Sequence, residues 1–253
     1  LAGDYSIIEQ ATDAALQACG FERKPGCLCF EHGPFRSLET GMQRNILRYA
    51  LAIFKPGLDN IDQETIDRGI QFVIHPSASC QMEWIGHLSL YLELGKIFIL
   101  EAGVMPPDDL WPQVKNINQE AFNPPFELAL ENGWVLLARL VPYNDLGELL
   151  EVTKNDPMQA CLDTSCLSFP LELRTRSPGD RFLPMGMSGH SQKLSDLMVN
   201  VKIPKRARRL WPLVVSNTEI IWVPGSRIAE GYQITPDTPL VLHLCLRRPE
   251  VTN

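Results

Sequence analysis

The sequence predicts an α+β fold, with an N-terminal helical region followed by antiparallel hairpins and then a small C-terminal α+β domain. In the first third, apolar residues recur every three or four positions, as on one face of a helix. After Pro76, apolar residues alternate around turn residues, which indicates hairpins. In the last third, short apolar strands alternate with helix-like segments. A mixed fold accounts for all three observations.

Three helices are predicted before Pro76. The first lies in "DYSIIEQATDAALQACG" and ends at Gly20, the second lies in "LETGMQRNILRYALAIF" and ends at Pro56, and the third spans Gln63 to Ile74. The apolar face of the first would consist of Ile8, Ala11, Ala15 and Cys19. These stripes predict packing faces and indicate no chemistry.

Hairpins are predicted in the middle and near the end of the chain. "HLSLYLELGKIFILEAG" predicts two strands joined around Gly95, and "FELALENGWVLLARLV" predicts two more around Asn132-Gly133, a dipeptide typical of two-residue turns. "PLVVSNTEIIWVPG" predicts a hairpin that turns at Ser216-Asn217, and "LVLHLCLRR" predicts a terminal strand.

The last third combines short strands with two predicted helices. The strand "PLELRTR" leads into the turn "SPGD". A helix from about Gln192 to Val201, with Ser191 as its N-cap, is followed by a second short helix that opens at Pro204. Composition and charge shift before this region, so we predict two domains, residues 1–155 and 156–253.

Charge is distributed unevenly along the chain, whose formal net charge is -7. Residues 1–170 carry a net charge of -12, and residues 171–253 carry +5. The segment from Leu173 to Arg209 contains nine Lys or Arg against two Asp. A basic segment on an acidic body is typical of a protein that meets a polyanion with one face. The alternative is that the protein's own carboxylates neutralise these cations.

Three arginines in "LELRTRSPGDR" are the first candidate binding residues. Arg174 and Arg176 would share one face of the predicted strand, and the turn would bring Arg181 towards them. Planar guanidinium groups in such a cluster suit phosphate oxygens. The alternative is that Asp180 pairs with one of these arginines and fixes the turn.

Further cations follow. Lys193 would lie in the first turn of the predicted helix, after a glycine-bearing loop whose free N–H groups suit an anion. The stretch "VKIPKRARR" adds Lys202, Lys205, Arg206, Arg208 and Arg209. On a short helix, Lys205, Arg208 and Arg209 would share one side. Arg44 and Arg48, one turn apart on the second helix, are weaker candidates.

Two other functions stay open at this point. In an enzyme, a hydrolytic or phosphoryl-transfer site would form around the glycine loop. Its residues would be Asp163, Asp180, Asp196, His190 and Lys193. In a protein-interaction module, the basic face would dock on acidic protein surface instead. Salt dependence separates nucleic-acid binding from such docking.

Cysteine usage and hydropathy predict a cytoplasmic protein. No apolar run reaches the roughly 20 residues that span a bilayer, and "LAGDYSIIEQ" is not a secretory signal. Seven cysteines, an odd number in a long chain, fit reduced thiols. The pairs Cys27/Cys29 and Cys161/Cys166 lack a second ligand pair at zinc-site spacing, so buried thiols are favoured over metal ligation.

Several short motifs follow one another in order after Leu171. They are Arg174-x-Arg176, Gly179-Asp180-Arg181-Phe182, Pro184-x-Gly186, Lys193-Leu194-x-Asp196, Lys205 to Arg209, Pro212-Leu213 and Trp222 to Ile228. Together they resemble the C-terminal domain of bacterial tRNA(Ile)-lysidine synthetases. "MQRNILRYALAIF" is similar to the helical central region of that family, and "GDYSIIEQATDAAL" to the helix that follows its catalytic domain.

The resemblance implies an ATP-dependent ligase that joins lysine to C2 of the wobble cytidine of tRNA(Ile) with a CAU anticodon. In that family, ATP and Mg belong to an N-terminal domain with a Ser-Gly-Gly-x-Asp-Ser loop, and residues 1–253 contain no such loop. We therefore expect a fragment, beginning at Leu1 just after the catalytic domain, that binds tRNA and has no catalytic residue, metal or cofactor of its own. Its assembly, including a homodimer, is left open. The expected tRNA-binding residues are Arg174, Arg176, Arg181, Lys193, Lys202, Lys205, Arg206, Arg208, Arg209, Arg44 and Arg48.

Overall fold

A computed structural model describes residues 2–57, 61–75, 80–108, 110–114, 119–187 and 189–248. The chain divides into two compact units between Pro107 and Asp108. Each unit combines helices with antiparallel strands, so the predicted α+β class is confirmed. None of the helices in the described ranges is long and apolar enough to cross a membrane.

The N-terminal unit builds one core from helices and a single sheet. Its helices are α1 (Ala2–Ala18), α2 (His32–Arg36), α3 (Thr40–Phe54) and α4 (Gln63–Ile74). Its strands are β1 (Glu22–Lys24), β2 (Cys27–Glu31), β3 (Gln81–Glu83), β4 (Ser89–Glu93) and β5 (Lys96–Leu100). The strands pair antiparallel in the order β1-β2-β5-β4-β3. The apolar faces of α3 and α4 share a core with β2, β4 and β5.

Two sequence predictions in this unit have different outcomes. The β4–β5 hairpin is confirmed, and both of its turn residues, Leu94 and Gly95, have positive φ, as a two-residue primed turn requires. The predicted apolar face of α1 is confirmed for Ala15 and Cys19, which pack in the core, and is wrong for Ile8 and Ala11, which are exposed. The buried side of α1 also carries Thr12, whose hydroxyl donates to the Ile8 carbonyl at 2.7 Å and can therefore be buried.

The C-terminal unit contains ten strands and two α-helices in its described residues. The helices are α5 (Leu149–Asn155) and α6 (Leu194–Asn200). The strands are β6 (Gln119–Phe122), β7 (Phe126–Ala129), β8 (Val135–Pro142), β9 (Gln159–Asp163), β10 (Leu171–Arg174), β11 (Arg181–Phe182), β12 (Gln192–Lys193), β13 (Leu213–Ser216), β14 (Glu219–Trp222) and β15 (Leu240–Arg247). They form two four-stranded sheets, β14-β13-β10-β6 and β7-β8-β15-β9, and the two-stranded ribbon β11-β12.

The predicted domain boundary at residue 155 does not separate the units. β8 pairs with β15 along eight residues, and β6 pairs with β10 along four. Both ladders join strands from opposite sides of the predicted boundary. The charge shift that suggested it marks a change of surface composition, whereas backbone pairing decides which segments fold together.

Two predictions around α6 are also wrong. The helix begins at Leu194, because Gln192 and Lys193 extend as β12 and pair with β11. Ser191 is therefore not its N-cap. The segment opened by Pro204 forms consecutive turns up to Leu210 and no regular helix. The terminal strand β15 and the hairpin β13–β14 are confirmed, although the hairpin turns at Asn217-Thr218 and not at Ser216-Asn217.

Candidate nucleic-acid interface

The turn after β10 is a rigid four-residue element. Asp180 N–H donates to the Ser177 carbonyl at 3.2 Å, and Ser177 N–H donates to Asp180 Oδ2 at 2.7 Å. Pro178 occupies the second position, and Gly179 has φ +89°, which is the type II pattern. Only glycine adopts this φ without strain, so the sequence Ser-Pro-Gly-Asp specifies the turn.

Asp180 holds this turn against the end of β10. Arg174 Nη1 and Nη2 donate to Asp180 Oδ2 and Oδ1 at 2.8 and 3.0 Å. The two side chains are 16% and 14% exposed, so water screens the pair only weakly. Burial opposes ionisation of Asp180, but the hydrogen bonds from Arg174 and Ser177 lower its pKa below the usual value. The alternative pairing of Asp180 with one arginine is thus confirmed, and Arg174 is neutralised.

Three other predicted cations line one cleft of about 410 Å³ beside this turn: Arg176, Arg181 and Lys193. Arg181 and Lys193 are directly opposite on the β11–β12 ladder, so their side chains leave the ribbon on the same face. All three are exposed. The ion pairs found among the described residues include none of them.

Ser191 pre-positions the Arg181 guanidinium without cancelling its charge. Arg181 Nε donates to Ser191 Oγ at 2.9 Å, and Nη2 donates to the Ser191 carbonyl at 2.7 Å. Like charges directly opposite on a ladder repel each other, and an anion between them relieves that repulsion. The cleft, which we call the cationic cleft, therefore has the charge and donors to hold phosphate oxygens. Sequence reasoning missed this role of Ser191, because it depends on the unexpected strand β12.

The cations after α6 are arranged differently. Lys202, Lys205 and Arg209 are exposed, and none of them lines the cationic cleft. The Arg206 guanidinium carbon lies 4.1 Å from the centre of a Trp111 ring. Arg208 Nε donates to the Ile203 carbonyl at 2.8 Å. The predicted helical side of Lys205, Arg208 and Arg209 is wrong, because this segment is not a helix.

The two central arginines belong to the N-terminal unit. Arg44 binds Asp67 through two hydrogen bonds of 2.7 and 3.0 Å, which connect α3 to α4. The hydrogen bond raises the pKa of Arg44 and lowers that of Asp67. Arg48 is exposed on the next turn of α3. Arg44 therefore has a structural partner, and Arg48 keeps an accessible charge.

The predicted hydrolytic site does not converge. Asp163, at the end of β9, accepts hydrogen bonds from the Thr238 hydroxyl at 2.6 Å and from Ser165, and these lower its pKa. Asp180 is bound to Arg174. Neither Asp163 nor His190 lines the cationic cleft. Within the described ranges, no three His, Cys, Asp or Glu side chains are arranged to hold a metal ion.

The cysteine thiols are unpaired at all seven positions. Cys27, Cys29 and Cys161 are buried as predicted, whereas Cys166 is exposed. Burial, followed by the charge of Glu22, raises the pKa of Cys29 to about 11. A thiol with so high a pKa is a poor nucleophile, so Cys29 packs as a small apolar side chain.

Comparison with known proteins locates this interface within a family. Residues 171–244 match the family model described as the TilS substrate C-terminal domain. The tRNA(Ile)-lysidine synthase of Dehalococcoides mccartyi is 26% identical over 247 residues, which cover 98% of this chain and 50% of that protein. The chain is thus similar to tRNA(Ile)-lysidine synthases over nearly its whole length, and its residues 171–244 match their C-terminal domain model. It spans about half the length of this relative.

Two further matches agree in name. The tRNA(Ile)-lysidine synthase of Symbiobacterium thermophilum is 48% identical over 121 residues, which cover 47% of this chain and 23% of that protein. A crystal structure of a TilS C-terminal domain covers 52% of this chain and 98% of its own, at 25% identity and a TM-score of 0.44. The family-model match and the curated relatives confirm the resemblance found in the sequence motifs. The cationic cleft lies wholly within the residues that match the family model.

Proposed function

We propose that this chain is the substrate-recognition portion of a tRNA(Ile)-lysidine synthase. It binds tRNA(Ile) with a CAU anticodon and positions it for a catalytic domain that uses ATP and Mg to join lysine to C2 of the wobble cytidine. The observation that carries this proposal is the cationic cleft, in which Arg176, Arg181 and Lys193 converge without an ion-pair partner among the described residues. Binding energy gained here, remote from the reacting base, would be used to orient that base.

The alternative, neutralisation by the protein's own acids, accounts for only part of the basic segment. Asp180 is the acid of the turn, and Arg174 already matches its charge through two hydrogen bonds. The cleft therefore keeps the charge of three cations. RNA helices are recognised mainly through backbone contacts, which suit exposed arginines and lysines on a rigid scaffold. Lys202, Lys205, Arg209 and Arg48 are exposed and complete the proposed binding set.

Filter binding with a tRNA(Ile) transcript over a salt series tests this proposal. The variant Arg176→Ala/Arg181→Ala/Lys193→Ala is expected to bind roughly 10- to 100-fold more weakly at low salt. Its salt slope should fall by about 2 to 3, because three phosphate contacts are lost. The control Arg23→Ala/Lys24→Ala/Arg36→Ala removes the same charge from exposed sites in the N-terminal unit and should retain most of the affinity.

Three outcomes would contradict the proposal. Equal losses in both triple variants would mean that tRNA responds only to net charge. Absence of salt-sensitive tRNA binding by the unmodified chain would favour the other function, a basic module that docks on protein. Incubation with ATP, lysine and tRNA should produce no lysidine, and formation of lysidine by this chain alone would place the chemistry within residues 1–253.

A further inference from the structure

A second cleft, of about 350 Å³, adjoins the cationic cleft and has a different chemistry. The two clefts share the segment Gly179–Arg181 as a common wall. The opposite wall of the second cleft comes from β14 and the loop that follows it. Its residues there are Thr218, Glu219, Ile220, Ala229, Glu230 and Tyr232. Arg181 thus lies between the cationic cleft, where phosphate contacts are proposed, and this second pocket.

Two carboxylates in this pocket each accept one hydrogen bond, through one of their two oxygens, and this bond holds them in place. Glu219 Oε2 accepts from the Tyr232 hydroxyl at 2.7 Å, and Glu230 Oε2 accepts from Gly186 N–H at 2.7 Å. Burial and the neighbouring Glu219 raise the pKa of Tyr232 to about 12, so its hydroxyl remains a donor at neutral pH. Each carboxylate keeps its second oxygen as an acceptor without a hydrogen bond from the described residues.

We propose that this pocket recognises an unpaired nucleobase that carries an exocyclic amino group, with Glu219 and Glu230 as the acceptors. This inference rests on the proposed function and specifies what the interface recognises. Ionised carboxylates accept hydrogen bonds and cannot donate them. The amino groups of guanine, cytosine and adenine supply donors, whereas uracil presents carbonyl oxygens at the corresponding positions. Glu219 and Glu230 therefore favour the amino bases over uracil.

The charges of the pocket argue against two other ligands. A phosphate would be repelled by Glu219 and Glu230 and is better held in the cationic cleft. A free amine would meet the guanidinium group of Arg181 in the same pocket, where Asp180 already neutralises Arg174. An uncharged base between them avoids both repulsions, and its own phosphate would lie on the cationic side. Sequence-specific recognition of RNA mostly uses unpaired bases read on their polar edges, as proposed here.

Nuclear magnetic resonance titration of the ¹⁵N-labelled chain tests the inference with GMP, CMP, AMP, UMP and ribose 5-phosphate. The amino-bearing nucleotides are expected to bind about tenfold more tightly than UMP. The variant Glu219→Gln/Glu230→Gln should lose that preference, because each amide places a donor beside its acceptor. Its affinity for ribose 5-phosphate should remain unchanged or rise. Glu127→Gln, at an exposed position of β7, is the matched control and should keep the preference.

The outcomes separate this inference from the proposed function. Equal affinities for all four nucleotides, together with tRNA binding that still depends on the cationic cleft, would overturn the base pocket alone. Shifts of the Glu219 and Glu230 amides by lysine or spermidine, stronger than those by any nucleotide, would identify a cation site and would also overturn it. Loss of salt-sensitive tRNA binding in every assay would instead remove the proposed function.

Discussion

The two basic segments at the ends of α6 have similar composition and different structures. Before α6, one carboxylate, Asp180, binds Arg174 and fixes the turn, and the ribbon β11–β12 then presents Arg181 opposite Lys193. After α6, two arginines contact neighbouring uncharged groups. Arg206 lies over the Trp111 ring, and Arg208 donates a hydrogen bond to the Ile203 carbonyl. Composition alone therefore does not decide whether the cations of a basic segment line one cleft or are engaged by neighbouring groups.

Asp180→Ala should have the largest effect on stability and tests whether the first segment depends on its one acid. Removal of the carboxylate leaves the largely buried Arg174 with only the longer 3.9 Å contact to Glu172 and is expected to cost about 3 kcal/mol of the free energy of unfolding. Urea unfolding measures the loss. Asp237→Ala, at an exposed loop position, should change stability little. Equal effects of the two substitutions would show that the Arg174 contact does not support the turn.

Acid should weaken the same contact. Because the pKa of Asp180 is lowered in the folded protein, its contribution is present above the unfolded value of about 3.9 and is lost as pH falls through the folded pKa. Asp180→Asn is expected to cost about 2 kcal/mol at pH 7 and progressively less as pH falls below about 3.9. Urea unfolding of both proteins across this range measures the difference. A difference that is constant with pH would contradict the charged pairing.

Gly179→Ala tests the backbone of the turn. A side chain at φ +89° is expected to destabilise the protein by about 1 to 2 kcal/mol, although no atom lies within 4 Å of the added Cβ. Gly41→Ala is the control, since Gly41 lies in the first turn of α3 with equally open surroundings and no positive φ. It should stabilise the protein by about 0.5 kcal/mol. Thermal unfolding that moves both variants in the same direction would remove the argument from turn geometry.

Lys205→Ala/Arg209→Ala should have the smallest effect and sharpens the contrast between the two segments. Both side chains are exposed, and the loss of two dispersed contacts is expected to weaken tRNA binding about 3- to 10-fold. The salt slope should fall by about 1 to 2, with the free energy of unfolding unchanged. Filter binding beside the cationic-cleft variant measures this. A larger loss than that of the cationic-cleft variant would move the main interface to the end of α6.

Much of the local structure follows from short patterns. The helices α3 and α4 and the hairpins at Gly95 and Asn132-Gly133 are predictable because apolar spacing and positive-φ turn residues act within a few positions. The β13–β14 hairpin is predictable to within one residue, since it turns at Asn217-Thr218. The strands β1 and β2 could not be predicted in this way, since β2 is buried on both faces and its sequence shows no alternation of apolar and polar residues. The domain boundary is likewise unpredictable from composition, because β8 and β15 pair across a hundred residues.

The sequence by itself determined the α+β class, the family motifs and the turn Ser177–Asp180, all of which depend on neighbouring residues. Only the tertiary structure decided which of the cations are available to an anionic ligand and which are bound to the protein's own groups. Arg174 and Arg176 stand two positions apart, yet one is bound to Asp180 and the other lines the cationic cleft. Whether a charge is neutralised depends on which groups approach it in space, and the β11–β12 pairing brings Lys193 opposite Arg181 from twelve residues away.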